Sequence, residues 1–196
     1  MSGAENEETR RGEVLLAIAR ESLAEALSLG HPRQEGERKE PWLSEPGATF
    51  VTLTRRGELR GCVGSVRAYR ALFDDVWANA RASAFQDTRF PPLAVSEFPE
   101  IRVEVSVLSP PEPLAPCGED EACARLRPGL DGLILECGTL RSTFLPQVWQ
   151  QLEDPRDFLG HLKVKAGLPR DFWSPEVRLL RYTVAKWVEK PPRRGG

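Results

Sequence analysis

Arg56-Gly57-Glu58-Leu59-Arg60-Gly61-Cys62 is echoed later in the chain by Cys137-Gly138-Thr139-Leu140-Arg141-Ser142-Thr143, each copy setting a Leu-Arg pair just after a turn glycine. The first copy lies between two β-prone runs, Ala48 to Thr54 and Glu58 to Val66, and Arg55-Arg56-Gly57 between them predicts a hairpin. The second sits between Gly132 to Glu136 and Thr139 to Leu145, a second hairpin around Cys137-Gly138. Each copy then runs into helix and later into a strand, Glu100-Ile101-Arg102-Val103 in one case and Glu176-Val177-Arg178-Leu179 in the other. The echo predicts two ββαβ units derived by duplication. Strands and helices that do not alternate one to one give an α+β fold with mainly antiparallel sheets flanked by helices, not a doubly wound one.

Outward from the hairpins, Glu13 to Leu29 places Leu15, Ile18, Ala19, Ser22, Ala26 and Leu29 on one helical face, stopped by Gly30 and Pro32. The charged stretch from His31 to Pro46 is a loop in which Trp42 and Leu43 fold back as an anchor. Tyr69 to Phe85 forms a second helix through Leu72, Phe73, Val76, Trp77, Ala80 and Ala84, ended by Arg89-Phe90-Pro91-Pro92. Ile101, Val103, Val105 and Val107 alternate with polar residues as a half-covered strand, and Pro110, Pro111 and Pro113 prevent its continuation. Past a looser stretch holding Cys117 and Cys123, two short helices are expected at Pro146 to Leu152 and Pro155 to Ala166. One long strand, Glu176 to Val188, closes the sequence. Met1 to Gly12 and Pro191 to Gly196 read as flexible tails.

The chain has 196 residues, 40% hydrophobic and 29% charged, enough for one domain or two small subdomains with a core. No apolar run approaches the ~18 residues of a membrane span, and the N-terminus has no apolar signal region, so a cytoplasmic protein with no membrane partner is expected. Its cysteines, Cys62, Cys117, Cys123 and Cys137, are then reduced thiols. A net charge of -2 supplies no basic field for nucleic acid, which leaves a protein or peptide as the favoured ligand.

Leu59-Arg60-Gly61-Cys62-Val63-Gly64 concentrates the candidate chemistry. Two glycines around a thiol in a β run mark a bulge or a close approach of backbone or ligand. A bulge at Gly61 would bring Arg60 and Cys62 onto one side, where the guanidinium would favour the thiolate. The alternative is that Cys62 is a small buried hydrophobe and the glycines relieve crowding. His31 and His161 are the only histidines, and His161 is the credible base for a Cys62 nucleophile. The spacing of Cys117, Cys123 and Cys137 does not fit a structural zinc site, and no metal is expected. In Phe85-Gln86-Asp87-Thr88-Arg89-Phe90-Pro91-Pro92, Asp87 and Arg89 read either as an ion pair closing a helix or as an arginine gripping an anion bidentately while Asp87 orients it. Glu104, on the polar face of the clearest strand, is a further candidate. Glycine-rich phosphate loops, dinucleotide fingerprints, zinc-protease helices and nucleophile elbows are absent, so nucleotide, flavin and zinc-protease readings fall away and the identity of any cofactor is left open.

These stretches resemble the AMMECR-one domain family, called protein A of the AmmeMemoRadiSam system in prokaryotes. The LRGCVG motif, Leu59 to Gly64, is similar to the family's Leu-Arg-Gly-Cys-Ile-Gly signature, with Val63 in place of isoleucine. Phe85 to Pro92, Glu104 to Ser109, Gly132 to Leu135 and Leu145 to Trp149 also resemble family segments. The resemblance implies two subdomains divided by a cleft toward which the motif turns: a larger one of about 13–111 plus 171–190 and a smaller inserted one of about 112–170. It also implies a pathway shared with a Memo-like protein and a radical SAM protein, and no established activity. Two functions are compatible with these residues: a binding or adaptor domain, and a cysteine-dependent enzyme or enzyme component using Cys62.

Overall fold

The computed structural model describes residues 3–29, 40–115 and 118–190. In chain order its elements are α1 (Gly3–Ala26), β1 (Pro46–Gly47), β2 (Thr49–Arg55), β3 (Glu58–Gly64), β4 (Arg70–Ala71), α2 (Leu72–Phe85), β5 (Ile101–Leu108), β6 (Glu112–Pro113) and α3 (Glu119–Arg125). There follow β7 (Gly132–Cys137), β8 (Leu140–Phe144), α4 (Pro155–Lys165), β9 (Arg178–Tyr182) and β10 (Val184–Val188). Short 3-10 turns form at Pro41–Ser44, Val95–Glu97 and Pro146–Gln150. The fold is α+β with antiparallel sheets. No helix among the described residues is long and apolar enough to cross a membrane. His31, Cys117 and the segment Pro191 to Gly196 lie outside the described residues.

The chain forms two compact units, one reaching Leu108 and resuming at Ala185, the other spanning Ser109–Val184. The expected return to the first unit near residue 171 therefore moves to Ala185. The reason is pairing: β9 lies antiparallel to β7, from Gly132 opposite Tyr182 to Glu136 opposite Arg178, which commits it to the second unit. The long strand expected from Glu176 to Val188 is thus two strands, β9 and β10, in different sheets.

In the first unit the sheet order is β10-β5-β2-β3. Val51 and Leu53 on β2 and Ile101, Val103 and Val105 on β5 turn to one side, against Leu72, Phe73, Val76, Ala80 and Ala84 of α2 and Leu15, Ile18, Ala19 and Leu23 of α1. Alternation along the strands and i,i+4 recurrence along the helices meet in this core. Leu43 joins it, with Trp42 packed alongside, so the anchor in the first loop is real. α1 starts at Gly3, well before the expected Glu13, because a segment polar all round gives no apolar period to read. It stops at Ala26, leaving Leu29 48% exposed and Leu23 in the core in its place. The β2–β3 turn has positive φ at both Arg56 (53°) and Gly57 (90°), as a type I′ hairpin requires.

Glu189, just after β10, ties three elements together. Its carboxylate receives Arg20 Nε from α1 at 2.9 Å and Val103 N–H from β5 at 2.8 Å, and its own N–H donates to Val103 C=O at 2.9 Å.

The second unit has sheet order β6-β9-β7-β8. Leu133, Leu135 and Leu179 pack with Phe158, Leu159 and Leu162 of α4, and Trp149 stacks on Phe158 at 3.8 Å between centroids. α4 is capped by Asp154, whose side chain accepts from the Arg156 and Asp157 amides, with Pro155 in the first turn. Gly167, at φ 88°, ends it. α3 is unforeseen: its first three residues are acidic, and only Ala122 and Cys123 of its seven are buried. At the β7–β8 turn Gly138 alone has positive φ, 57°, which fits the first position of a type II′ turn.

Candidate functional site

Every residue of the Leu59 to Gly64 motif sits on β3, the edge strand of the first unit's sheet. Both glycines answer to packing. A Cβ on Gly61 would stand 2.0 Å from Ser83 C=O of α2, and one on Gly64 would stand 2.3 Å from the Phe50 ring. The bulge exists, but one residue earlier than expected: Leu53 pairs with Gly61 and Thr54 with Leu59, so Arg60 is the extra residue.

That displacement redirects Arg60. Its Nε and Nη2 donate to the two oxygens of Glu97, each at 2.9 Å, and Nη2 also reaches Pro92 C=O at 3.4 Å. The residue is only 8% exposed. Glu97 further accepts from Arg55 Nη1 at 3.0 Å and from the Ala94 N–H at 2.9 Å. The Arg60 hydrogen bonds, followed by the Ala94 amide, pull the Glu97 carboxyl down to about 2, while Glu97 pushes Arg60 further up. Arg60 is therefore a fold-fixing cation bonded to Glu97, and the expected activation of Cys62 by Arg60 is not what the structure builds.

Cys62 meets a different pair. Its N–H, pointing away from β2, donates to Asp87 Oδ2 at 2.9 Å, and Arg89 Nη2 stands 3.5 Å from its carbonyl oxygen. Arg89 holds Asp87 through Nε at 2.9 Å and Nη2 at 2.7 Å. Arg89, with the Cys62 amide second, holds the Asp87 carboxyl well below the usual carboxylate range. The expected bidentate grip of Arg89 on a ligand anion is thus taken up inside the protein. More than closing a helix, the pair occupies the β3 edge, one carboxylate oxygen on the N–H and the guanidinium at the C=O, where another strand would otherwise pair.

The Cys62 thiol, half-buried, accepts from Thr52 Oγ1 at 3.2 Å. Thr52 faces Cys62 on one side and Glu104 on the other in the strand register, and Glu104 pairs with Lys186 of β10 at 3.0 Å. Cys62, Thr52, Glu104 and Lys186 therefore form one polar row across the sheet, on the face opposite the apolar core. Leu59, 42% exposed, stands at the same strand's start. Cys123 and Cys137 are instead buried in the second unit, and burial pushes the Cys123 thiol up. His161 is exposed on α4 of that unit. Among the described residues no group of His, Cys, Asp and Glu is arranged to hold a metal ion.

One buried polar centre escaped the sequence reading. Asp75, fully buried on α2, accepts on Oδ2 from Thr49 N–H (2.8 Å), Thr49 Oγ1 (2.7 Å) and Asn79 (3.0 Å), and on Oδ1 from Ser65 Oγ (2.9 Å) and Arg70 Nε (2.7 Å). It fastens the start of β2 and the end of β3 to α2. The signal was present: Asp75, Asn79 and Ser83 recur at i,i+4 beside the apolar stripe, a polar stripe too regular for a solvated face.

Comparison with known proteins places this geometry in context. A family model described as AMMECR1 matches residues 16–187. A protein of Methanothermobacter thermautotrophicus is 38% identical over 173 residues, covering 87% of this chain and 90% of its own length. One of Aeropyrum pernix is 40% identical over 192 residues, covering 93% of this chain and 80% of its own. The crystal structure of uncharacterized protein PH0010 from Pyrococcus horikoshii is similar with a TM-score of 0.78 at 35% identity, covering 93% of each chain.

Proposed function

Since the chain belongs to the AMMECR1 family, we propose that it acts as a binding domain whose recognition face is the polar row Cys62–Thr52–Glu104 with Leu59 beside it, and whose ligand is a segment of protein or peptide. The observation that carries this reading is the fate of the motif's charged groups. Arg60 is bonded to Glu97, and Asp87 to Arg89 and the Cys62 amide, so the groups that would drive a reaction are engaged in holding shape. What remains is a surface of mixed character, exposed Leu59 next to the partly exposed thiol, hydroxyl and carboxylate, suited to contact without bond breaking. The Memo-like and radical SAM proteins implied by the family resemblance are the partners to test first.

The test is calorimetric titration of each purified candidate partner from the same host. Leu59→Glu and Thr52→Lys weaken binding about tenfold or more, and Cys62→Ser stays within about twofold. Binding that survives both surface changes, or that vanishes with Cys62→Ser while the fold is kept, defeats the proposal.

A second reading, thiol chemistry at Cys62, draws on one observation: Cys62 is the only described cysteine outside a core. Alkylation of each cysteine as a function of pH, read by mass spectrometry against the unfolded chain, decides it. Fast, selective reaction at Cys62 with a pKa well under the ~8.5 of a free thiol establishes a reactive thiolate; ordinary reactivity removes that reading.

A further inference from the structure

The two edges of the first unit's sheet are finished in opposite ways. At β3 the Asp87–Arg89 pair covers the Cys62 amide and carbonyl. At β10 no strand lies beyond among the described residues, and a groove of about 720 Å³ runs between this strand and the N-terminal half of α1. The groove is pinched where the helix rests on Trp187, since a Cβ on Gly12 would stand 2.1 Å from the indole. Its strand wall is formed by consecutive residues, Lys186 to Lys190, so main chain as well as side chains line it. Glu189 N–H points at Val103 of β5, and because amides alternate along a strand, Val188 N–H points the other way, to the open edge. Its helix wall carries the exposed carboxylates Glu8 and Glu13, whereas of the strand's two lysines Lys186 is already neutralised by Glu104, which leaves Lys190 as the cation set against them.

We infer that this groove receives an extended peptide segment with basic side chains from a partner protein. The peptide's main chain pairs with the open edge of β10, the strand-addition mode that unpaired edge amides invite. Its cationic side chains face Glu8 and Glu13 across the groove, whose volume is in the range of peptide- and ligand-sized sites. Charge complementarity selects the occupant: an acidic segment would meet like charge on the helix wall. This surface meets the row around Cys62 only at Lys186, and its test does not depend on that row.

The probes are acetyl-Lys-Val-Lys-Val-Lys-amide and its Glu-Val-Glu-Val-Glu counterpart, titrated into the isotopically labelled full chain. The basic peptide saturably shifts the Trp187 indole and the amides of Lys186 to Lys190, slows hydrogen exchange at Val188 about tenfold, and leaves Cys62 unmoved. The acidic peptide does neither. The double variant Glu8→Lys/Glu13→Lys weakens the basic peptide about tenfold, with a circular-dichroism spectrum like that of the parent. Val188→Pro abolishes binding by removing the outward donor, and Val188→Thr retains it. No shift up to about 1 mM peptide, equal binding of the acidic peptide, or indifference to the charge reversal overturns the inference. So does a concentration-dependent dimer that protects Val188 without peptide, which would make a second copy of the chain the occupant.

Discussion

The two units trace the same path with different side chains. In the first, the β2–β3 hairpin is followed by α2 and then β5, which pairs with β2; in the second, the β7–β8 hairpin is followed by α4 and then β9, which pairs with β7. Positions that the sequence echo aligns play matched parts. Gly61 lets Ser83 C=O of α2 approach the bare strand backbone, while Ser142, its counterpart, donates its hydroxyl to Leu162 C=O of α4 at 2.7 Å. The Cys62 carbonyl lies near Arg89, and the Thr143 carbonyl accepts from Lys165 Nζ at 2.9 Å. Arg60 binds Glu97 beyond its hairpin, whereas Arg141 pairs with Glu136 across its own, at 3.1 Å. The difference separates frame from specialisation: turn glycines and a strand-to-helix carbonyl contact belong to the ββαβ frame, while the Asp87 carboxylate on the edge amide and the Cys62–Thr52–Glu104 row belong to the first unit alone.

The strongest way to break this comparison is at the shared carbonyl contact. Gly61→Val places a branched side chain against Ser83 C=O and destabilises the chain by about 3 kcal/mol or more, whereas Ser142→Ala, which removes one of two donors to Leu162 C=O and leaves it the Ala166 amide, costs about 1 kcal/mol; urea unfolding of both compares them. If Gly61→Ser is as stable as the parent, the first unit accepts the second unit's solution and the distinction drawn here fails. Next in size is Arg60→Met, which leaves Glu97 only Arg55 and the Ala94 amide in a largely buried place and costs about 2 kcal/mol at pH 7.

The same pair gives a pH signature. The Glu97 carboxyl lies at about 2 in the folded protein against ~4.3 for an unperturbed glutamate, so its contribution is full above pH ~5 and is lost as pH falls toward 2. The parent therefore loses its advantage over Arg60→Met across that acid range, as acid unfolding curves of the two will register; a gap that is constant with pH contradicts the assignment. The smallest effect belongs to Arg89→Ala. Its partner Asp87 is covered but Arg89 is half in solvent, so stability falls by only about 1 kcal/mol, with Asp87 titrating at higher pH by carboxyl NMR.

What the sequence made legible was periodic or local. Turn glycines placed both hairpins, i,i+4 spacing placed the buried face of α2, and alternation placed β5. What it withheld was partnership at a distance. Glycine at position 61 announces a bulge or a close approach without telling which residue becomes the extra one, and that single step decided whether Arg60 faced Cys62 or Glu97. The five donors on Asp75 come from four residues spread from Thr49 to Asn79, so no local window contains them. The division of Glu176 to Val188 into β9 and β10 was invisible because both halves are equally β-prone and only their sheets differ.

The clamp at Glu189 has a temporal meaning. The residue that joins α1, β5 and the end of β10 is made only after the whole of Ser109–Val184. On a ribosome adding about 5–20 residues per second, the interrupted unit waits several seconds for its last strand, while the uninterrupted one emerges with every strand it needs. The customary order of folding, N-terminal part first, is thereby inverted: the segment born second is the first able to finish.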